Sequence, residues 1–373
     1  MQRQHLTTLQ RWVVKIGSSL LTAEGRGLDL PAIGRWSKQL AGMKHKGCDI
    51  VLVSSGSIAE GMSRLGWTQR PRTVHRLQAA ASIGQMGLVQ AYESSFKSHG
   101  IGTAQILLTH DELAHRQRYL NARSTINTLL GLNVIPIINE NDTVTTDEIK
   151  LGDNDTLASM VANLISADIL VILTDQHGVF DKDPRQSDDA QLIPIANAED
   201  DYLLSIAAAT GGHLGSGGMR SKILAARRAA RSGTTTAIAS GRERDVLLRL
   251  RDGEPLGTLL TPQSEPLLAR KRWLANQLKV KGQVTIDDGA CEVLKRHNSS
   301  LLAVGVTAVY GAFKRGELIA CISADGNEIA RGLVNYNAEE VQKLKRQPSS
   351  KIADILGYSN EPELIDRDNM VLM

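Results

Sequence analysis

The chain has 373 residues, 42% of them hydrophobic and 22% charged, which is typical of a globular protein and long enough for two domains. Its formal net charge of +3 is small for this length and argues against a protein built to bind nucleic acid or an acidic membrane surface. The three cysteines are far apart in sequence, which excludes a CxxC zinc or redox motif and is typical of a reducing compartment.

The first twelve residues, MQRQHLTTLQRW, lack the apolar segment of a signal peptide. No apolar run along the chain approaches the roughly 20 residues that span a bilayer. We therefore expect a cytoplasmic protein that has no membrane partner.

Short apolar runs alternate with helical patterns over the first two-thirds of the chain. The predicted strands are Trp12–Ile16, Asp49–Ser54, Thr103–Leu108, Val134–Ile138, Ile169–Leu173 and Thr235–Ala239. The predicted helices are Pro31–His45, Arg76–Lys97, Tyr119–Leu130 and Leu157–Ile165. The alternation, with strands that are apolar on both faces, predicts an α/β fold in which a mostly parallel sheet forms the middle of a three-layer αβα sandwich.

The pattern changes after about Gly253, where a connector leads into short runs separated by Asp-Gly and Arg-Gly turns. These runs are Lys279–Ile286, Ser300–Tyr310, Leu318–Ser323 and Glu328–Asn335. They predict a small β-rich C-terminal domain. We therefore divide the chain into a first domain at 1–256, a linker at 257–279, and a second domain with its tail at 280–373.

Small or polar residues follow four of the predicted strands, as Ile16–Ser19, Ser54–Ser57, Asn139–Asp142 and Thr174–Asp175. Ligands of open α/β sheets collect beyond the carboxyl ends of the strands. Four such strand ends together predict a binding site at this edge of the sheet.

Two segments are candidate phosphate-binding sites. Glycines and serines in Gly215–Lys222 precede the helical pattern Ile223–Ala230, so backbone N–H groups and Lys222 can reach an anion. A flexible loop with a surface lysine is the alternative interpretation. Lys15 ends the buried first strand just before Gly17, and a lysine that extends to solvent is the alternative there.

The polar run Ile138–Asp155 lies between two apolar elements and ends directly before an apolar helix. A solvated loop is its ordinary interpretation. Its asparagines can also bind a substrate amine or carboxylate, and Asp153 can orient a lysine through an ion pair. Asp155 is predicted to do no more than cap the following helix.

The spacing of residues in the sequence excludes several other kinds of catalytic or binding motif. The chain has no Walker A sequence, no GxGxxG after its first strand and no GxSxG around Ser54–Ser57. His110 and His115 are five residues apart, so they do not share the helix face that a zinc protease needs.

Taken together, these motifs resemble the amino acid kinase family over essentially the whole chain. The motifs of this family are Val14–Ser18, Val53–Gly56, Leu173–Asp175, Gly178–Phe180, Asp183–Arg185 and Ser216–Met219 with Lys222. Leu120–Arg123 and Ile138–Asp155 are similar to the members that phosphorylate glutamate. The C-terminal runs Val284–Ala290, Gly305–Tyr310 and Lys314–Ile319 resemble a PUA domain.

The resemblance implies an ATP-dependent kinase that uses Mg²⁺, held mainly by phosphate oxygens rather than by protein ligands, and phosphorylates L-glutamate at the start of proline biosynthesis. The substrate-binding residues that it implies are Ser55, Gly56, Asp142 and Asn154. The implied catalytic residues are Lys15, Lys222, Asp153 and Gly17. The implied nucleotide-binding residues are Lys15, Thr174, Asp175, Ser216, Gly217, Gly218, Met219, Arg220, Ser221 and Lys222.

The resemblance also implies feedback inhibition by proline and a homo-oligomer, either a dimer or a tetramer. Two alternatives stay open. The acceptor can be another carboxylate, such as acetylglutamate or aspartate, or the chain can be an RNA-binding or regulatory protein with a degenerate kinase domain. We do not expect RNA binding by the C-terminal domain, because its acidic and basic residues nearly balance and aromatic platforms are scarce.

Overall fold

The computed structural model describes residues 3–22, 27–145, 154–209, 218–263, 280–297 and 299–373. The chain divides into two compact units, of which the first comprises Met1–Asp111 and Thr125–Pro266 and the second Glu112–Ser124 and Leu267–Met373. Within the described ranges, no helix combines the length and the apolar character needed to cross a membrane.

The first unit is organised around a sheet of eight described strands. They are β1 (Arg11–Ile16), β2 (Asp49–Val53), β3 (Thr103–Leu108), β4 (Ile135–Glu140), β5 (Ile169–Thr174), β6 (Ile195–Asn197), β7 (Thr235–Ser240) and β8 (Thr258–Thr261). Their order is β3-β4-β2-β1-β5-β7-β8-β6, and every neighbouring pair is parallel except β7 and β8. The predicted mostly parallel sheet is confirmed.

Helices connect these strands and continue into the second unit. In chain order they are α1 (Ser18–Leu21), α2 (Leu30–His45), α3 (Ser57–Arg64), α4 (Val74–Lys97), α5 (His110–Ala114), α6 (Arg116–Gly131), α7 (Asn154–Leu164), α8 (Asp201–Ala209), α9 (Met219–Ala230), α10 (Val246–Arg251), α11 (Asp288–His297), α12 (Ala338–Leu344) and α13 (Ile352–Leu356). Short 3-10 helices occupy Arg3–Thr8, Ala303–Gly305, Ser349–Lys351 and Arg367–Asn369.

The two faces of the first sheet are covered by different helices. Alternate residues of β1, Trp12, Val14 and Ile16, belong to a core cluster with residues of α2, α4 and α10. The intervening residues Val13 and Lys15 point to the opposite face, because side chains alternate along a strand, and there α7 packs against β1 and α9 against β7. The three-layer αβα arrangement follows, and it places Lys15 on the same face as α7 and α9.

The second unit contains its own five-stranded sheet among the described residues. The strands are β9 (Gly282–Ile286), β10 (Val306–Gly311), β11 (Leu318–Ile322), β12 (Glu328–Leu333) and β13 (Met370–Leu372), in the order β10-β9-β11-β12-β13. A separate core cluster built on Val284, Ile319 and Tyr336 fills this unit. The predicted small β-rich C-terminal domain is confirmed.

The structure gives a packing reason for part of the Leu120–Arg123 motif. The Arg123 side chain is almost entirely buried, and its Nη2 lies 3.0 Å from an oxygen of Asp368 and 3.5 Å from one of Asp366. Its Nη1 donates to Asn369. These bonds explain why the segment Glu112–Ser124 clusters with the second unit although it lies within the range 1–256.

The predicted linker at 257–279 begins with a strand. Thr258–Thr261 form β8, which pairs antiparallel to β7 and parallel to β6 in the first sheet. Residues 264–279 of the linker lie outside the described residues. The domain boundaries themselves stay predictions.

Helices α3 and α4 cross at two glycines without side chains between them. A Cβ on Gly84 would lie 1.8 Å from the carbonyl oxygen of Ser57, and a Cβ on Gly61 would lie 1.7 Å from that of Ala80. Real carbon atoms do not approach an oxygen so closely, so only glycine allows this crossing. The contact matters for the site below because Ser57 begins α3.

Substitution of Gly84 by alanine should destabilise the protein by about 3 kcal/mol, at the upper end of the cost of overpacking, because the two backbones must separate. Gly34 in α2 has open space around it. Gly34→Ala should therefore have the opposite sign and stabilise by about 0.5–1 kcal/mol. Urea unfolding measures the change in the free energy of unfolding of each variant. Equal midpoints for the two variants would contradict the close backbone approach of α3 and α4 at Gly84.

Candidate functional site

Three buried charged residues meet on the α7 side of the sheet. Lys15 is the penultimate residue of β1 and lies between Val53 of β2 and Ile172 of β5. Its Nζ lies 2.5 Å from Oδ1 of Asp155, and Nζ of Lys222 lies 3.1 Å from Oδ2 of the same carboxylate. One carboxylate thus holds two ammonium groups from different elements.

The pKa of Asp155 reflects this arrangement. Burial alone would raise the pKa, but the charges of Lys15 and Lys222 outweigh it, together with a hydrogen bond from Ser221, and the pKa is well below its ordinary value. The Ser221 hydroxyl donates to Asp155 Oδ2 at 2.8 Å. Asp155 is therefore ionised at neutral pH and keeps both lysines in place.

Each lysine ammonium has three N–H donors, and Asp155 takes one from each. Lys222 lies in the first turn of α9, where the helix dipole also favours an anion. Charge and donors of this kind suit phosphate groups. The cluster is a candidate site for the phosphates of a nucleotide.

Two further predicted residues lie beside this cluster at the ends of neighbouring strands. The Gly17 N–H donates to Leu173 O at 3.4 Å, a long hydrogen bond. A Cβ on Gly17 would be only 3.7 Å from Lys15 Nζ, so the backbone passes directly beside the ammonium. Thr174 ends β5, which pairs with β1, and its hydroxyl donates to Asp175 at 3.1 Å.

The other predicted nucleotide residues are described in part. Gly218, Met219, Arg220 and Ser221 lead into and begin α9. Ser216 and Gly217 lie outside the described residues, as does the predicted catalytic residue Asp153.

The predicted substrate-binding residues Ser55 and Asn154 lie together at the start of α7, whose first residue is Asn154. Its Nδ2 lies 2.6 Å from the carbonyl oxygen of Ser54, 3.0 Å from Oγ of Ser55 and 2.9 Å from Oδ1 of Asn139. Two hydrogens therefore face three acceptors. Of these three acceptors, only the Ser55 hydroxyl carries a proton of its own, and it can rotate to direct that proton to another group. Ser55 thus has a proton to offer to a carboxylate.

The loop that carries Ser55 has a fixed backbone. Gly56 has a φ of 95°, in the left-handed region that favours glycine, and it precedes α3. The Ser54 hydroxyl lies 3.1 Å from the hydroxyl of Tyr92, and burial raises the pKa of Tyr92, so this phenol stays neutral. Asp142 approaches from the segment after β4, where its Oδ2 accepts a hydrogen bond from the Ser57 hydroxyl at 3.2 Å.

Adjacent residues of α7 therefore connect the two halves of the site. Asn154 contacts Ser54, Ser55 and Asn139 at the ends of β2 and β4, and Asp155 contacts the two lysines. A group held near Asn154 and a phosphate held by the lysines are brought to neighbouring positions. This arrangement suits transfer of a phosphoryl group to an acceptor bound at Ser55 and Asp142.

The interpretation of Asp155 as no more than a helix cap is wrong. Asp155 is fully buried and is the residue that ion-pairs with both lysines. Once the start of α7 is known, Asp155 shares a face with the buried positions Ala158 and Ala162, which are three and seven residues further on. Asn139 was likewise missed as a partner of Asn154.

The described residues do not supply a cluster of metal-ligating side chains. No group of three or more His, Cys, Asp or Glu side chains comes together among them. The carboxylate of Asp155 is already shared by two ammonium groups. This donor set does not fit a metal held by protein ligands.

Comparison with known proteins gives matches over the whole chain. The model of the amino acid kinase family matches residues 10–240, and that of the PUA domain matches residues 282–356. The glutamate 5-kinase of Thioalkalivibrio sulfidiphilus is 59% identical over 371 residues, with 100% of this chain and 99% of the relative covered. The glutamate 5-kinase of Methylococcus capsulatus is 60% identical over 370 residues, with 99% of each chain covered.

Proposed function

The chain belongs to the amino acid kinase family, and we propose that it uses ATP to phosphorylate the side-chain carboxylate of L-glutamate. The product is L-glutamyl 5-phosphate, and the reaction is the first step of proline biosynthesis. The observation that supports the proposal is the pair Asn154 and Asp155, because one contacts Ser55 and the next contacts the two lysines.

The reaction needs no general base. The side-chain carboxyl of glutamate has an ordinary pKa of about 4.3, so it is already a nucleophile at neutral pH. A carboxylate oxygen forms a bond to the γ-phosphorus, the bond from that phosphorus to the β,γ-bridging oxygen breaks, and ADP leaves. The obstacle is repulsion between two anions, so catalysis rests on positioning and charge neutralisation.

The residues described above divide this work between them. Lys222 and the start of α9 gather the nucleotide phosphates, whereas Lys15 and the backbone of Gly17 stabilise the phosphoryl group in transfer. Asp155 orients both ammonium groups. The proposed nucleotide site includes Thr174 and Asp175, together with the segment from Ser216 to Lys222. The role predicted for Asp153 stays a prediction.

ATP use follows from the kinase family, and we propose that Mg²⁺ accompanies the nucleotide. Mg²⁺ would be carried mainly by phosphate oxygens, since it keeps much of its coordination for phosphates and water. Its contribution would be to neutralise phosphate charge.

The acceptor itself can be tested directly. Release of ADP, followed in a coupled assay, should be fast with L-glutamate and slow with N-acetylglutamate or aspartate at equal concentrations. Faster turnover of either alternative would assign the chain to a different acceptor within the same family.

Substitution of Asp142 by alanine should raise the KM for glutamate by about 10- to 100-fold, because a charged hydrogen-bonding partner of the substrate is lost. The KM for ATP should stay within about twofold, since Asp142 belongs to the acceptor side with Ser57. Steady-state kinetics with each substrate varied in turn gives both values. Loss of ATP affinity instead would show that the substrate assignment is wrong.

We also propose the properties that accompany this function. Proline would inhibit at or near the glutamate site, the protein would work in the cytoplasm with its three cysteines as free thiols, and it would assemble as a dimer or tetramer. RNA binding is not expected of the PUA domain, and filter binding to tRNA with its salt dependence would test this.

A further inference from the structure

One face of α4 carries a stripe of three polar side chains, which we call the α4 stripe: Gln78, Ser82 and Gln85. They are spaced four and three residues apart, so they share a face of the helix. All three point to the end of β4, which contains Asn139, and to the polar segment after it, which contains Asp142.

The first half of the stripe holds the turn that carries Asp142. Gln78 Nε2 donates to the carbonyl oxygens of Thr143 and Thr145 at 3.2 and 3.0 Å, so both of its hydrogens are used on this backbone. The Ser82 hydroxyl lies 3.2 Å from that of Thr143. The turn after Asp142 is thus attached to α4 at three points.

The second half of the stripe, Gln85, belongs to a chain of hydrogen-bonded side-chain amides formed with Asn139 and Asn154, which we call the amide relay. The backbone N–H of Glu140 can only donate, so the Asn139 atom at 2.9 Å must be its oxygen. Asn139 Nδ2 must then be the donor to Gln85 Oε1, at 2.7 Å. The same logic applies to Asn154, since the Ser54 carbonyl can only accept. Both amide orientations are therefore fixed by backbone groups at the ends of the relay.

Gln85 contributes to this relay through a single bond. Its Nε2 is buried and has no hydrogen-bond partner among the described residues. A buried donor without a partner costs free energy. The favourable contribution of Gln85 is therefore the hydrogen bond that its Oε1 accepts from Asn139. This bond holds the amide group of Asn139, whose oxygen faces Asn154.

Helix α4 also packs against the start of α3, which follows the segment that contains Ser55. Gly84, between Ser82 and Gln85, lies against the Ser57 carbonyl at the start of α3. The same helix therefore contacts the segment after β2, which contains Ser55, and holds the segment after β4, which contains Asp142.

We propose that Gln78, Ser82 and Gln85 are positioning residues that hold Asn139 and Asp142 in register with Ser55 and so set the affinity for the acceptor amino acid. None of the three is required to touch the substrate. This inference rests on the proposed function, since it assumes that the acceptor binds between Ser55 and Asp142.

Kinetics of Gln78→Met and Gln85→Met tests the proposal, because methionine keeps the length of the side chain and removes the amide. Each should raise the KM for glutamate about tenfold, leave kcat within about twofold and leave the KM for ATP unchanged. Gln85→Glu keeps an oxygen that accepts from Asn139 and should stay within about threefold of the wild type. Gln90→Met is the matched control, since Gln90 is exposed on the same helix.

Glutamate-dependent protection against thermal unfolding provides a second readout that does not depend on turnover. It should shift to about tenfold higher glutamate in the two methionine variants and not in the control. An unchanged KM in both variants, an equal rise in the KM for ATP, or the same defect in Gln85→Glu as in Gln85→Met would overturn the proposal. Failure of the proposed function is distinct, because the wild type itself would then not use glutamate.

Discussion

Asp155→Asn should lower kcat by about 10²- to 10³-fold while the protein still binds glutamate with nearly normal KM. Asparagine keeps the shape of the side chain but removes the charge that holds Lys15 and Lys222, which lie 2.5 and 3.1 Å from the carboxylate. Two buried ammonium groups without their shared partner repel each other and leave the geometry needed for transfer. Catalytic groups of this kind contribute a factor of this size.

The same substitution should reduce stability by about 3–5 kcal/mol, the cost of leaving buried charges without a partner. Asp168→Asn is a matched control. Its carboxylate accepts from the backbone N–H groups of Gln10 and Arg11 where β1 and β5 begin, at the opposite end of these strands from the site. It should change stability and leave the kcat of the folded enzyme near normal. Normal turnover in Asp155→Asn would remove Asp155 from the mechanism.

The stability difference between the wild type and Asp155→Asn should depend on pH with a definite sign. The pKa of Asp155 is lower in the folded protein than in the unfolded chain, where it is about 3.9. The folded state therefore binds fewer protons, and the stabilisation by Asp155 is fully present above about pH 5. It is lost as the pH falls below 4 toward the folded pKa. Urea unfolding at a series of pH values would show the two curves converging in acid.

The fold was accessible from the sequence because its strands are apolar on both faces and its helices are long. The predicted strand Thr103–Leu108 has the bounds of β3, and the other five predicted strands of the first domain differ from β1, β2, β4, β5 and β7 by one or two residues. The short edge strands β6 and β8 were not predicted. Each has only three or four residues, too few for a periodic pattern, and β8 lies in a stretch that reads as a connector.

The location of the site was also predictable, but the identity of its central carboxylate was not. Small or polar residues after parallel strands must meet at one edge, so Gly17, Ser55, Asn139 and Thr174 could be grouped without coordinates. Whether Asp155 turns toward the lysines depends on where the first turn of α7 begins. Composition does not fix a helix boundary to within one residue, and one residue rotates a side chain by 100°.

The α4 stripe could not be inferred from the sequence for a different reason. Gln78 and Gln85 are ordinary residues for an exposed helix face, and their partners are backbone carbonyls and an amide more than fifty residues away. Nothing local marks such contacts. The crossing of α3 and α4 at Gly61 and Gly84 cannot be predicted from the sequence either, because it depends on the close approach of two backbones.

Lys15→Ala and Lys222→Ala should each lower kcat by at least about 10²-fold, because each removes a positive charge from the path of the transferring phosphoryl group. Arginine should not restore activity at either position, since its planar head is larger than the ammonium group that fits against Asp155. Single-turnover measurements at saturating ATP and glutamate would separate the chemical step from substrate binding.

The two lysines should differ in their effect on ATP. Lys222 lies in the first turn of α9, beside the predicted phosphate-binding segment, so its loss should raise the KM for ATP as well as lower kcat. Lys15 lies next to Gly17 at the end of β1, where the phosphoryl group would be in transfer, so its loss should mainly lower kcat. Both variants should keep the KM for glutamate within a few-fold of the wild type.

Lys44 supplies the control for these substitutions, because it is also a buried lysine of the first unit, with Asp49 as its acidic neighbour at 3.9 Å. It lies at the end of α2, before β2 begins, and is therefore away from the carboxyl ends of the strands. Lys44→Ala should cost stability and preserve kcat. If Lys15→Ala or Lys222→Ala also preserved kcat, that lysine would serve only to balance the charge of Asp155, and the phosphoryl group would have to be stabilised elsewhere.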